Sequence, residues 1–146
     1  MRTPGVDEMG MVKVTCKLTN NSDASLATAG AIPPERVRSV QVEGLVDTGA
    51  VRLVLPADVV AALGLPPSAE VRVRYADDRT AMRPTVTNVL LELEGRTGIF
   101  TAIVESNRKT ALIGAIVMED LDLLVDCSKQ IVHPRDPDIV TTTIGW

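Results

Sequence analysis

The sequence predicts an all-β fold with two short helices, a small closed β-structure built as one domain. Three observations carry that expectation. Short runs alternate apolar and polar residues with period two, and turn formers separate these runs. Apolar residues make up 45% of the chain and aromatics only 2%, so the core is built from Val, Leu, Ile and Ala rather than stacked rings. A chain of 146 residues has room for one domain with a real core and not for two.

Residues 1–10 are polar and carry Gly and Pro, and they read as a disordered tail. Val12-Lys13-Val14-Thr15-Cys16-Lys17-Leu18 alternates as a strand with one face in the core. Thr19 to Pro34 breaks that pattern with turn formers and small residues, and reads as a long loop. Val37 through Val46 resumes strand character and runs into a tight turn at Asp47-Thr48-Gly49-Ala50, after which Leu53-Val54-Leu55 re-enters the core. Pro56 to Gly64 has Pro at the first turn, an acid at the positive end of the dipole and Gly as the stop, which predicts a short helix.

Val71-Arg72-Val73-Arg74-Tyr75, the polar stretch Ala76-Asp77-Asp78-Arg79 and an extended run from Thr80 to Val89 describe a hairpin with an exposed tip. A second strand pair, Val89 to Leu93 and Gly98 to Val104, flanks Glu94-Gly95-Arg96-Thr97. Ala111-Leu112-Ile113-Gly114 then leads into the second short helix, which runs to about Leu121. Leu123 to Asp126 and Gln130 to Val132 form a last hairpin, followed by a Pro-rich segment and an extended tail from Ile139 to Trp146.

Composition narrows the function classes. The formal charge of −4 is mild, and Lys and Arg are scattered among acids, so no phosphate-tracking stripe is present and nucleic acid is not an expected partner. Cys16 and Cys127 lack metal-type spacing and His133 is the only imidazole, which leaves no expected metal site or cofactor. No apolar run approaches the length of about 20 residues that spans a bilayer, and the N-terminus has no apolar signal core. The expectation is a cytoplasmic protein without a membrane partner.

The chemistry concentrates at Leu45-Val46-Asp47-Thr48-Gly49-Ala50. An acid between an apolar strand and a Thr-Gly pair sits where backbone amides and a hydroxyl fix its plane, and Gly lets a water or a second chain come close. Asp126 also ends an apolar run, but Cys127-Ser128 lacks that turn geometry and reads as an ordinary hairpin carboxylate.

The order of these elements resembles the retropepsin-like aspartic proteases over roughly residues 11–136: an apolar pair, Asp-Thr-Gly-Ala, a strand and helix, a hairpin flap, then an apolar pair before Gly and a short helix. The stretch from Ala111 to Val125 is similar to that of bacterial single-domain members. The resemblance implies a closed acid-protease β-barrel that works as a homodimer. It makes Asp47 the catalytic acid, with Thr48, Gly49 and Ala50 as loop support. Leu112-Ile113-Gly114 becomes the ψ-shaped crossing, and Tyr75, Ala76, Asp77 and Asp78 the flap.

The family's mechanism needs two carboxylates sharing one proton, one acting as base on a water and the other as acid. One triplet per chain means that the second Asp47 comes from a symmetry mate, so the implied partners are a second copy and a peptide or protein substrate. Ala50 stands where some relatives carry Ser or Thr. Loss of that hydroxyl predicts activity reaching toward weakly acidic or neutral pH. Asp78 stands where Gly is common at the flap tip, and Asp tolerates positive φ better than most residues. Residues 137–146 are a possible interface strand. The alternative reading is a non-catalytic dimerisation or peptide-binding module that keeps the fold.

Overall fold

The computed structural model of the chain describes residues 11–145; the expected tail at residues 1–10 and Trp146 lie outside them. The strands are β1 (Val12–Asn20), β2 (Ser39–Val46), β3 (Leu53–Pro56), β4 (Glu70–Arg74), β5 (Thr80–Leu93), β6 (Arg96–Glu105), β7 (Ala111–Ile113), β8 (Leu123–Asp126) and β9 (Ile131–Pro134). The helices are α1 (Asn21–Thr28), α2 (Ala57–Leu63) and α3 (Ala115–Leu121), with a 3-10 turn at Pro34–Arg36.

Seven strands form one sheet in the order β1-β2-β7-β3-β6-β5-β4. β1 also pairs with β5, from Lys17↔Glu92 to Asn20↔Val89, and this closes all of them except β4 into a barrel. Closure removes the free sheet edges that a chain this rich in Val and Leu would otherwise expose to aggregation. β4 extends from the barrel as the outer arm of a hairpin with β5. β8 and β9 form a separate two-stranded sheet.

The core draws on the strands and on α2. Leu18, Leu53, Leu55, Leu63, Leu91 and Ile113 are fully buried, each stabilising the fold by about 1.5–3 kcal/mol relative to exposure. Cys16 is buried and Cys127 exposed, both as free thiols.

The helix count corrects the sequence reading. Among the described residues three helices are present rather than two, because the expected loop from Thr19 to Pro34 contains α1. Its signals are local bonds rather than an apolar stripe. The Asn20 side chain accepts from the Asp23 amide at 3.0 Å, capping the helix, and donates to Leu63 O at 2.9 Å. Asp23 is buried and takes the Arg38 amide at 3.1 Å and its guanidinium at 2.8 and 3.1 Å. These bonds dock the helix onto the barrel through polar groups, so hydrophobic periodicity has little to report.

Two further boundaries differ. β1 runs on to Asn20, and β5 is one 14-residue strand where the sequence reading divides it at Val89. A register shift between Val86 and Val89, with Asn88 at φ 62°, interrupts the pairing of β5 with β6, which runs on both sides of it; residues 80–84 also pair with β4 and 89–92 with β1. α2 starts after Pro56 and stops at Gly64, which takes the left-handed conformation at φ 67°, as its capping residues predict.

Candidate active site

β2 delivers Asp47 at its C-terminal end, and the chain turns through residues 47–52 before β3. β7 lies between these two consecutive strands, parallel to β2 (Leu45↔Leu112, Val46↔Ile113) and antiparallel to β3 (Val54↔Leu112). This is a ψ-shaped crossing, and it brings Leu112-Ile113-Gly114 against the Asp47 turn.

The turn is held from both sides. Asp47 N–H donates to Ile113 O at 3.0 Å, and within the turn Ala50 N–H donates to Asp47 O at 3.1 Å. At the start of α3, the amides of Ala115 and Ile116 donate to Ala50 O at 2.8 Å and Val51 O at 3.0 Å. Gly114 makes this approach possible, since a Cβ there would lie 2.5 Å from Arg52 O and 2.8 Å from Val51 O.

The Asp47 side chain is half-buried, and its Oδ1 accepts from Gly49 N–H at 2.9 Å. That bond orients the carboxyl plane. The second oxygen has no protein partner among the described residues, so it is available to a water or another carboxyl. Thr48 is exposed, as is Gly49.

A cleft of about 470 Å3 runs beside this turn, lined by Gly49 and Ala50 of the turn and by Val71 to Arg74 of β4 with the adjoining Tyr75. Val54, Ile103 and Leu112 make its apolar floor. The hairpin tip is polar: Ala76, Asp77 and Asp78 are exposed, and Asp78 adopts φ 65°. Asp77 stabilises that turn by accepting from the Arg79 amide at 3.1 Å and its guanidinium at 2.7 Å, which holds the Asp77 carboxyl below its ordinary range. Arg79 also lies 4.9 Å from the centre of the Tyr75 ring.

Tyr75 opens the turn at the hairpin tip, and its side chain is tied down rather than left free above the cleft. Its hydroxyl donates to Glu105 Oε2 at 2.9 Å, and Arg83 pairs with the other Glu105 oxygen. Burial, then the bond to Glu105, raises the Tyr75 pKa above its ordinary value. Sequence reading missed Glu105 and Arg83, because they lie on β6 and β5, and Glu105 is 30 positions from Tyr75 and 22 from Arg83. A single Glu closing an apolar strand has no local signature.

Residues 135–145 carry no regular secondary structure. Asp122, at φ 55°, ties this segment down by accepting from the Thr141 amide at 3.0 Å and from Arg135. The apolar residues Ile139 and Ile144 are exposed at 64% and 77%. No helix among the described residues is long and apolar enough to cross a membrane.

A closed barrel, a ψ crossing that clasps an acid-bearing turn, and a hairpin beside an apolar cleft together define the acid-protease class of fold. A family model described as aspartyl protease matches residues 34–125, well over half of the chain, from the 3-10 turn to β8. The chain therefore belongs to the retropepsin-like aspartyl protease family. No curated protein matches it.

Proposed function

We infer that the chain is one half of an aspartic endopeptidase, a homodimer in which Asp47 and its copy activate a water to hydrolyse peptide bonds. The observation that carries this reading is the Asp47 turn, clasped by Ile113 and α3, with one carboxyl oxygen held by Gly49 and the other unpartnered among the described residues. A surface turn acid needs no such clasp. A group that must keep its plane while exchanging protons does.

In this reading one carboxylate takes a proton from the water as its oxygen attacks the peptide carbonyl carbon. The other carboxyl gives its proton to the carbonyl oxygen; the diol then collapses, the C–N bond breaking as the first carboxyl passes the water's proton to the amine nitrogen and the second takes back a hydroxyl proton. Two carboxyl groups a few Å apart share one proton, which supplies both roles at once. The chain contains one Asp-Thr-Gly triplet, so the second acid comes from a twofold mate. The exposed Thr48 hydroxyls are then in position to brace the two turns, and the segment 137–146 to add an interface strand. An extended substrate lies along β4 by main-chain hydrogen bonds, with its side chains in the apolar floor.

The test is cleavage of a denatured-protein peptide library by the wild type and by Asp47→Asn, with and without a statine-type transition-state mimic. The expected result is a loss of about 1,000-fold or more in kcat/KM with an unchanged melting temperature, as for removal of an essential acid–base group. Equal cleavage by both proteins rejects the reading. Activity should also fall in parallel with the dimer fraction on dilution.

A further inference from the structure

The cleft beside Asp47 has a charge pattern unlike that of the chain as a whole. The protein is net −4, yet four of the residues lining this cleft are arginines: Arg52, Arg72, Arg74 and Arg108. Its one acidic lining residue, Glu105, is already engaged by Arg83 and by the Tyr75 hydroxyl. Among the described residues none of the four arginines pairs with a carboxylate.

Position separates their roles. Arg52 is exposed at the end of the Asp47 turn. Arg108 is half-buried in the segment between β6 and β7, and its Nε donates to Thr110 O at 3.1 Å, which fixes the guanidinium while leaving its terminal nitrogens without protein partners among the described residues. On β4, alternation leaves Val71 and Val73 half-buried and Arg72 and Arg74 exposed, so those two add to the field at the rim. A guanidinium held at one nitrogen beside an apolar floor is a donor fork for a carboxylate. The surrounding positive field favours entry of acidic chains and disfavours basic ones.

We propose that the cleft selects peptides bearing an acidic side chain, with Arg52 and Arg108 as the specificity-determining residues that receive its carboxylate. The proposal rests on the endopeptidase reading for what happens next, but recognition is measurable without it. The probe is a fluorescein-labelled extended peptide of apolar residues carrying one Glu, compared with its Gln isostere, titrated onto the full-length Asp47→Asn chain by fluorescence anisotropy. The Glu peptide should bind about tenfold more tightly, the consequence of one charge-assisted contact in a half-open cleft. The gap should narrow with added salt.

Arg52→Gln and Arg108→Gln should each shrink the gap, and the double variant should abolish it. Arg52→Glu, at an exposed position that folding tolerates, should turn the preference toward a Lys peptide. Equal binding of Glu and Gln peptides, no binding of either, or a gap that survives the double variant overturns the proposal. Displacement of the peptide by an equal concentration of a single-stranded oligonucleotide also overturns it, in favour of a phosphate-binding groove. Wild-type cleavage separates the two readings. Cleavage without Glu preference removes the specificity and leaves the protease; Glu-selective binding without cleavage does the reverse.

Discussion

Gly114 is the position where the geometry makes its sharpest demand. At Gly114→Ala the new Cβ would stand 2.5 Å from Arg52 O and 2.8 Å from both the carbonyl carbon and oxygen of Val51. Ordinary carbon–oxygen contacts are about 3.3 Å or longer, so the two segments must separate by roughly 0.8 Å. Every atom it meets is backbone, and no side-chain rotamer relieves the overlap. Its φ of −86° suits any residue, so space alone is at stake.

Separation at this point strains the bonds from Ala115 and Ile116 to Ala50 and Val51. Overpacking costs about 1–3 kcal/mol, and each weakened bond adds up to about 1 kcal/mol. The expected loss is about 3 kcal/mol, a large share of a stability of about 5–15 kcal/mol. That corresponds to a fall in melting temperature of about 10 °C. Differential scanning calorimetry on Gly114→Ala measures it, with two controls. A Cβ at Gly145 meets nothing within 4 Å, so Gly145→Ala should be neutral; Gly95 is equally open but sits at φ 74°, and Gly95→Ala should cost about 1 kcal/mol. A Gly114→Ala protein that melts within about 2 °C of the wild type would refute the reasoning.

Two other outcomes follow from titratable groups. Asp122 is lowered from its ordinary 3.8 by the Thr141 amide and then Arg135, and Asp23 by Arg38. A depressed folded-state pKa contributes stability that is full above the ordinary value and lost as pH falls through the lowered one, so urea midpoints should be flat above about pH 4 and drop below it. Asp122→Asn should be less stable at neutral pH and show a shallower acid drop; an equally steep drop would show that this carboxylate is not responsible. Burial pushes the Cys16 thiol up to about 11, whereas Cys127 is exposed. A maleimide at neutral pH should therefore label one thiol in the native protein and both in urea, and peptide mapping that finds Cys16 labelled first contradicts the burial.

Most of the barrel is legible in the chain because its strands announce themselves locally. Period-two alternation marks β1 and β4, apolar runs bounded by turn formers mark β3 and β6, and Pro56 and Gly64 bound α2 at the positions the structure confirms. α1 is illegible to the same reading because its anchors, Asn20 and Asp23, are polar and find their partners at Leu63 and Arg38. The register shift in β5 at Asn88 is likewise hidden, since one strand serving two sets of neighbours has the composition of two strands.

The site divides along the same line. Sequence by itself determined the Asp47-Thr48-Gly49 turn, the apolar strands that bury its flanks and the presence of a single triplet, because each depends on residues adjacent in the chain. Only the tertiary structure decided that Gly114 presses on Val51 and Arg52, that Glu105 holds Tyr75 and Arg83, and that four arginines meet on one cleft. The first depends on β7 entering between β2 and β3, a pairing of segments some sixty positions apart, and the second on β5 pairing with both β4 and β6. Turn and alternation preferences act over a few residues, whereas barrel closure sets which distant side chains share a wall.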